Sequence, residues 1–295
     1  MKKTRVLVTG ANGFLGSHIV DSLKSQYSVS VLVRDKTYRR TGIAAYYFNS
    51  YSDTAIEAAV SGADVIVHAA SMIHGPRFAA YRDANVRLTK TIVDSAKEHK
   101  VKHIIYISSE NVNHPQLNDN YTKTKREAEQ EVKKFKNNTI LRPTIIYGGN
   151  DKRYVGKLIS VVKHLPFVPV LGSGKNLFQF VYIDDVISII KSSIKNKIYG
   201  IYVVAGPDVI SYSDFVKLLM DKLHVKKPLV PLSIRLLKPF SHVLDKLFSR
   251  PLLTPSQLEN LSYDRKYSIA KTMKIFKYKP TSLDTGVKRI LEWRL

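Results

Sequence analysis

Cysteine is absent from all 295 residues. That excludes disulfide cross-links, thiolate nucleophiles and sulfur-ligated metal centres. Acidic residues are scarce: 24 Asp and Glu face 47 Lys and Arg, for a formal net charge of +23. Such an excess suits a polyanionic partner such as RNA or an anionic membrane. The basic residues are nevertheless scattered, as in KEHKVKH, VKKFK and KIFKYK, rather than gathered in one block. A solvated, lysine-rich surface is the simpler reading, and nucleic acid is set aside as the weaker one. Long apolar runs are missing too. No stretch approaches the ~20 residues that span a bilayer, and the apolar part of MKKTRVLVTG is too short for a secretory signal. A cytoplasmic location is expected. The nine histidines form no pair at metal-binding spacing, and no nucleophile elbow accompanies a Ser–His–Asp order. No metal site is expected.

What is present is alternation. Residues 5–9 (RVLVT), 28–33 (SVSVLV), 64–70 (DVIVHAA), 103–109 (HIIYISS) and 139–148 (TILRPTIIYG) read as buried strands, with a shorter strand near 46–49. Helical patterns fall between them, near 13–25, 53–61, 82–99 and around Tyr121. Strands alternating with helices imply parallel βαβ units in a doubly wound sheet, and near-continuous apolar strands imply a sheet covered on both faces. After about residue 150 the alternation loosens. The expected division is a first domain over 1–150 plus about 178–205, and a smaller cap over 151–177 plus 206–295.

The turn VTGANGFLG (8–16) spaces Gly10, Gly13 and Gly16 between the first strand and first helix. Glycines in that setting make a tight turn, let a pyrophosphate approach the backbone and let the helix lie close to the strand. The helix N-terminus adds free N–H groups and a positive dipole end. The second strand ends in Arg34 and Asp35, with Lys36, Arg39 and Arg40 close behind. An acid there suits the ribose of NAD, an arginine the 2′-phosphate of NADP. Basic residues dominate, so the sequence leans to NADP.

In DNYTKTKREAEQ (119–130), Tyr121 and Lys125 share one helical face. A cationic lysine beside a phenol favours phenolate, and a phenol so activated can exchange a proton with an alcohol. Together with TGANGFLG, DVIVHAA, Asn85 in DANVRLTKT, YISS, YTKTK, LRPTIIYG and FVYIDDV, this pair makes the chain resemble the extended short-chain dehydrogenase/reductase superfamily. The resemblance covers nearly the whole chain. It implies a Rossmann-type doubly wound α/β sheet with a smaller C-terminal cap. It implies cofactor contacts from Gly10, Asn12, Gly13, Phe14, Leu15 and Gly16, from Arg34, from His68, Ala69 and Ala70, and from Asn85, Ser108 and Pro143. Ser109 would hold the substrate oxygen, Tyr121 would be the acid/base, and Lys125 would bridge the nicotinamide ribose and Tyr121.

The chain also departs from the family pattern. Sugar dehydratases of this family carry an Asp-Glu pair after the hydroxyl residue, whereas Ser109 is followed by Glu110 and Asn111. Many nucleotide-sugar enzymes carry a diphosphate-clamping arginine near the place of Phe178; Arg153, Lys175 or Arg250 could substitute for it here. Glu110 is a further candidate for substrate contact. Residues 231–251 set Leu232, Leu236, Leu237, Phe240, Val243, Leu244 and Leu247 on one helical stripe. That stripe reads first as cap core and second as a surface that meets lipid or a greasy substrate.

The leading expectation is an NAD(P)-dependent enzyme acting at a secondary alcohol or ketone, with C4 of a nucleotide sugar the first candidate. An NADPH-dependent reductase of a hydrophobic or lipid-linked ketone is the second. A non-catalytic RNA-binding or assembly protein on the same fold is the third. By analogy with the superfamily, a homodimer through the helices near 82–99 and 119–136 is expected.

Overall fold

The computed structural model describes residues 3–51, 54–75, 77–151, 153–233 and 263–292. In chain order the elements are β1 (Arg5–Thr9), α1 (Phe14–Leu23), β2 (Ser28–Val33), β3 (Ala44–Tyr47), α2 (Thr54–Ser61), β4 (Val65–His68) and α3 (Phe78–Arg82). A π-helical turn (Asp83–Arg87) joins α3 to α4 (Leu88–Glu98). Then come β5 (His103–Ile107), α5 (Asn120–Lys133), β6 (Asn138–Pro143), β7 (Ile145–Tyr147), α6 (Tyr154–His164), β8 (Val168–Leu171), β9 (Leu177–Tyr182) and α7 (Ile183–Asn196). The chain continues through β10 (Gly200–Val204), β11 (Val209–Ser211), α8 (Tyr212–Lys222), β12 (Leu229–Leu232), α9 (Ala270–Phe276) and α10 (Leu283–Glu292).

Two compact units result. The first comprises Met1–Pro143, Asp184–Val204 and Ala270–Tyr278. Its sheet has the order β10-β6-β5-β4-β1-β2-β3, with every pairing parallel. The strands are apolar because helices cover them: Leu7, Leu32, Ile66, Ile104 and Ile140 are buried against Ile56, Ile92, Ala128 and Val132 of α2, α4 and α5. The strand order reverses between β1 and β4, so the connections that follow these two strands lead to opposite faces of the sheet, the usual ligand position in such sheets.

The second unit comprises Thr144–Ile183, Ala205–Ile269 and Lys279–Leu295. It has a three-stranded sheet, β11-β9-β7, and a β12-β8 pair. Its core is aromatic: Phe180 meets Phe215 at 4.3 Å, and Tyr147 meets Tyr182 edge-on at 5.5 Å.

Three boundaries differ from the sequence reading. The run 139–148 is two strands: Pro143 ends β6 in the large sheet, and β7 pairs with β9 in the small one. The return to the first unit starts at Asp184, not near 178, because β9 pairs with β7 and β11. Residues 270–278, assigned by sequence to the cap, belong to the first unit: Thr272 donates to the Val203 carbonyl at 2.7 Å and Phe276 packs edge-on against Tyr202. No helix among the described residues is long and apolar enough to cross a membrane. From residue 234 the stripe at 231–251 lies outside the described residues, as does Arg250.

Candidate active site

The chain leaves β1 through Gly10 in the left-handed region, at φ +73°. A Cβ there would also stand 2.7 Å from the Ala70 backbone, in the loop after β4. Gly13 donates its N–H to the Gly10 carbonyl at 2.9 Å and opens α1. Gly16 lies one turn into the helix, where a Cβ would come within 2.0 Å of the Gly10 carbonyl oxygen. The first turn of α1 carries no acidic residue and its cap makes no side-chain hydrogen bond. Its N–H groups and dipole are therefore not offset by a side-chain anion. Asn12 is exposed beside this turn, with Phe14 and Leu15 half-buried. A backbone-lined turn too narrow for side chains, at the reversal point of the sheet, fits a dinucleotide diphosphate.

The loop after β4 is held by a buried chain of polar groups. Thr89 gives its hydroxyl proton to the Asn85 carbonyl (2.5 Å), so it accepts from His68 Nε2–H (2.9 Å). His68 Nδ1 is then an acceptor for the Thr9 hydroxyl (2.6 Å), and Thr9 in turn accepts from the Ala70 N–H (3.1 Å). The ring is neutral: burial first, then the Lys125 charge, push its pKa down to about 3. The Asn85 side chain spends its amide on protein. It accepts from Met72 N–H (2.7 Å) and Ser71 Oγ (3.2 Å) and donates to the Met72 carbonyl and Thr124 Oγ1. Asn85 thus ties the loop to α5, and does so from the π-helical turn, a distortion frequent at functional sites.

At the end of β2, Arg34 and Asp35 are both exposed. Asp35 accepts from the Thr37 hydroxyl (2.6 Å) and N–H (2.9 Å). These bonds, the Thr37 side chain first, hold its carboxyl below the usual carboxylate range. Arg39 is occupied with the Tyr47 hydroxyl and two carbonyls, and Arg40 with Asp21.

Ser108, Ser109 and Pro143 lie at the C-terminal ends of β5 and β6, on the same edge of the sheet. Ser109 is half-buried and caps a short 3-10 turn, accepting from Asn111 N–H at 3.3 Å. Tyr121 stands half-buried in the first turn of α5, which Asp119 caps through Thr122 N–H. Lys125, one turn on, is buried: its Nζ donates to the Ile107 carbonyl at 2.6 Å and lies 4.2 Å from the centre of the Tyr106 ring. Burial pulls its pKa down to about 7, against an upward push from Glu129. The ammonium is therefore less secure near neutrality than the spacing alone implies. Tyr106 is held well above ordinary phenol acidity by burial, with Tyr121 and Glu129 adding to the effect. Tyr121, Ser109 and Lys125 are thus gathered at one end of the sheet, with the ends of β1 and β4.

Residues 6–205 match the model of the NAD dependent epimerase/dehydratase family. The chain belongs to that family. It is 27% identical, over 341 aligned positions, to the decarboxylating sterol-4-alpha-carboxylate 3-dehydrogenase of Candida albicans, with 98% of this chain and 97% of that protein covered. It is also 27% identical over 238 positions to N-acetyl-alpha-D-glucosaminyl-diphospho-ditrans,octacis-undecaprenol 4-epimerase of Escherichia coli, covering 74% and 70%. Among solved structures, UDP-glucuronic acid 4-epimerase from Bacillus cereus in complex with NAD superposes with a TM-score of 0.76 at 21% identity, covering 98% of this chain and 96% of that one. UDP-glucose 4-epimerase from Thermotoga maritima, with UDP-glucose, gives 0.78 at 17%, covering 99% and 98%. These likenesses show the fold of the extended short-chain dehydrogenase/reductase enzymes.

Within this epimerase/dehydratase chain the candidate substrate residues have separate fates. Glu110 is buried, with His114 Nε2 at 3.6 Å. Arg153 lies 3.5 Å from the fully buried Asp151 in the second unit, and Lys175 is exposed there. Phe178 is buried in that unit's core, stacked on Phe180 at 6.2 Å. Among the described residues no three histidines or carboxylates gather as a metal site. The sequence reading missed Glu129. This buried carboxylate accepts from Ser108 Oγ (2.6 Å) and is forked by Arg142 (2.9 and 2.6 Å), while Arg142 also donates to Asn113. The available signal was its spacing, four residues beyond Lys125 and eight beyond Tyr121.

Proposed function

We propose that this chain interconverts a secondary alcohol and its ketone with a nicotinamide dinucleotide, acting on C4 of a sugar carried on a diphosphate. The observation that carries the reading is Tyr121, Ser109 and Lys125 at the same sheet edge as the glycine turn. Gly10, Gly13, Gly16 and the start of α1 would hold the diphosphate, Asp35 the adenosine ribose, and Lys125 the nicotinamide ribose. Bound there, the dinucleotide supplies hydride acceptance and return. Tyr121 takes the alcohol proton as hydride leaves and gives it back on reduction. Ser109, whose oxygen accepts from Asn111 N–H, would donate its own O–H to the substrate oxygen where charge changes. Lys125 contributes its charge to the phenol of Tyr121.

NAD is the cofactor this reading prefers, against the lean of the composition. The Asp35 carboxylate would repel a 2′-phosphate, and Arg39 and Arg40 spend hydrogen bonds on Tyr47 and Asp21. An enzyme that keeps its NAD suits an epimerase, which oxidises and re-reduces within one cycle. The buried Phe178, where related sugar-nucleotide enzymes carry a diphosphate clamp, supports a second reading. In it, the alcohol belongs to a hydrophobic substrate, in line with the likeness to the sterol dehydrogenase.

The test is to purify the full chain, identify retained dinucleotide by mass, and offer UDP-sugars and 3β-hydroxysterols separately. Sugar epimerised with no net dinucleotide consumed supports the first reading. Stoichiometric oxidation of sterol supports the second. No dinucleotide retained and none bound at millimolar concentration would end both.

A further inference from the structure

The mechanism asks Lys125 to be cationic where the fold has made a cation costly. Its side chain is 1% exposed, with Nζ on one backbone carbonyl and over one aromatic face. A lysine removed from water in this way tends to lose its proton. Four ionisable groups bear on it or lie one helical turn away, and a fifth holds one of the four. His68 on β4 is neutral and its pKa responds to the Lys125 charge; Tyr106 on β5 is neutral; Tyr121 and Glu129 lie one turn either side on α5; Arg142 on β6 holds Glu129. Glu129 is the one carboxylate among them.

The placement of Glu129 is costly in itself. It is buried one turn along α5 from Lys125, while the rest of KREAEQEVKK lies largely at or near the surface. A buried carboxylate is tolerated when paired and fully hydrogen-bonded. Here Arg142 supplies a two-pronged bond and Ser108 a third. Ser108 adjoins Ser109, and Asn113, the other partner of Arg142, lies in the 3-10 turn that Ser109 caps.

We propose that Glu129, clamped by Arg142 and Ser108, is a positioning residue that keeps Lys125 in its ammonium form for work on Tyr121 and the cofactor ribose. The inference rests on the dinucleotide-dependent reading above for what Lys125 does, though not for what Glu129 does to Lys125. A buried Glu–Arg pair with a merely structural role would leave the Lys125 titration where it is.

The experiment is NMR titration of ¹³Cε-labelled lysine in the full chain, with Lys125→Met to assign the resonance. In Glu129→Gln the Lys125 midpoint is expected to fall by about one pH unit or more. Glu129→Asp, which retains the charge, should recover most of the shift. An unchanged midpoint in a Glu129→Gln protein with native circular dichroism and a cooperative melt overturns the proposal. If that variant does not fold, Glu129→Leu with Arg142→Met removes both charges at similar volume, a replacement that buried ion pairs often tolerate. The midpoint is expected to fall there too, by less than in Glu129→Gln because an opposing cation leaves with the carboxylate, and an unchanged midpoint is again contrary. A midpoint that moves in a protein without dinucleotide-dependent turnover would leave this inference standing and end the functional reading. Turnover that needs Tyr121, beside a midpoint that stays put, would do the reverse.

Discussion

Gly16 sits so close under Gly10 that a single added carbon would lie 2.0 Å from the Gly10 carbonyl oxygen. Helix α1 can therefore meet the turn only through bare backbone. Gly16→Ala must push the helix away, with overpacking costs of about 1–3 kcal/mol. Dinucleotide affinity should fall at least about tenfold, the equivalent of ~1.4 kcal/mol, as the N–H groups retreat. Calorimetric titration with NAD, beside a thermal melt, checks both. Unchanged affinity would remove the turn from the binding site.

The carboxylate of Asp35 stands exposed at the end of β2, held by Thr37. Asp35→Asn should weaken NAD binding by about tenfold or more, since hydrogen bonds to charged groups contribute about 1.5–3 kcal/mol. It should strengthen NADP by removing repulsion, aided by the neighbouring Arg34 and Lys36. A wild-type preference for NADP, unaltered by the substitution, would contradict the assignment.

His68 and His103 are buried neutral bases, with pKa values pushed down by burial to about 3 and about 4. In the unfolded chain they protonate near 6.5. The unfolded state thus binds more protons as pH falls below 6.5, and stability drops until the folded-state values are reached. Each group contributes a slope of about 1.4 kcal/mol per pH unit in that window. Urea unfolding between pH 6.5 and 4.5 should show the slope, and His68→Gln should remove part of it. An identical slope in the variant would mean other groups carry the acid sensitivity.

The sequence made the first sheet readable because its strands are buried on both faces, so Val65–His68 and His103–Ile107 stand out as apolar runs. The glycine turn was readable because its spacing has one backbone explanation. The break after Pro143 was not, since both halves of LRPTIIYG are apolar and only pairing partners tell them apart. Nor was the role of Glu129, which lies among charged residues that read as a wet helix face while its partner Arg142 arrives from another strand. The NADP lean rests on a count of basic residues, and a count does not say that two of them, Arg39 and Arg40, turn back onto Tyr47 and Asp21.

Tyr121→Phe is the substitution that speaks most directly to the central claim, because it removes one oxygen from the first turn of α5 and leaves the glycine turn intact. Dinucleotide binding and alcohol–ketone turnover should be measured on the same preparation. The account predicts affinity within about threefold of wild type and turnover reduced by about 10²-fold or more, the usual contribution of a positioned acid/base. Turnover preserved in the variant, or turnover by wild type with no dinucleotide present, would contradict it.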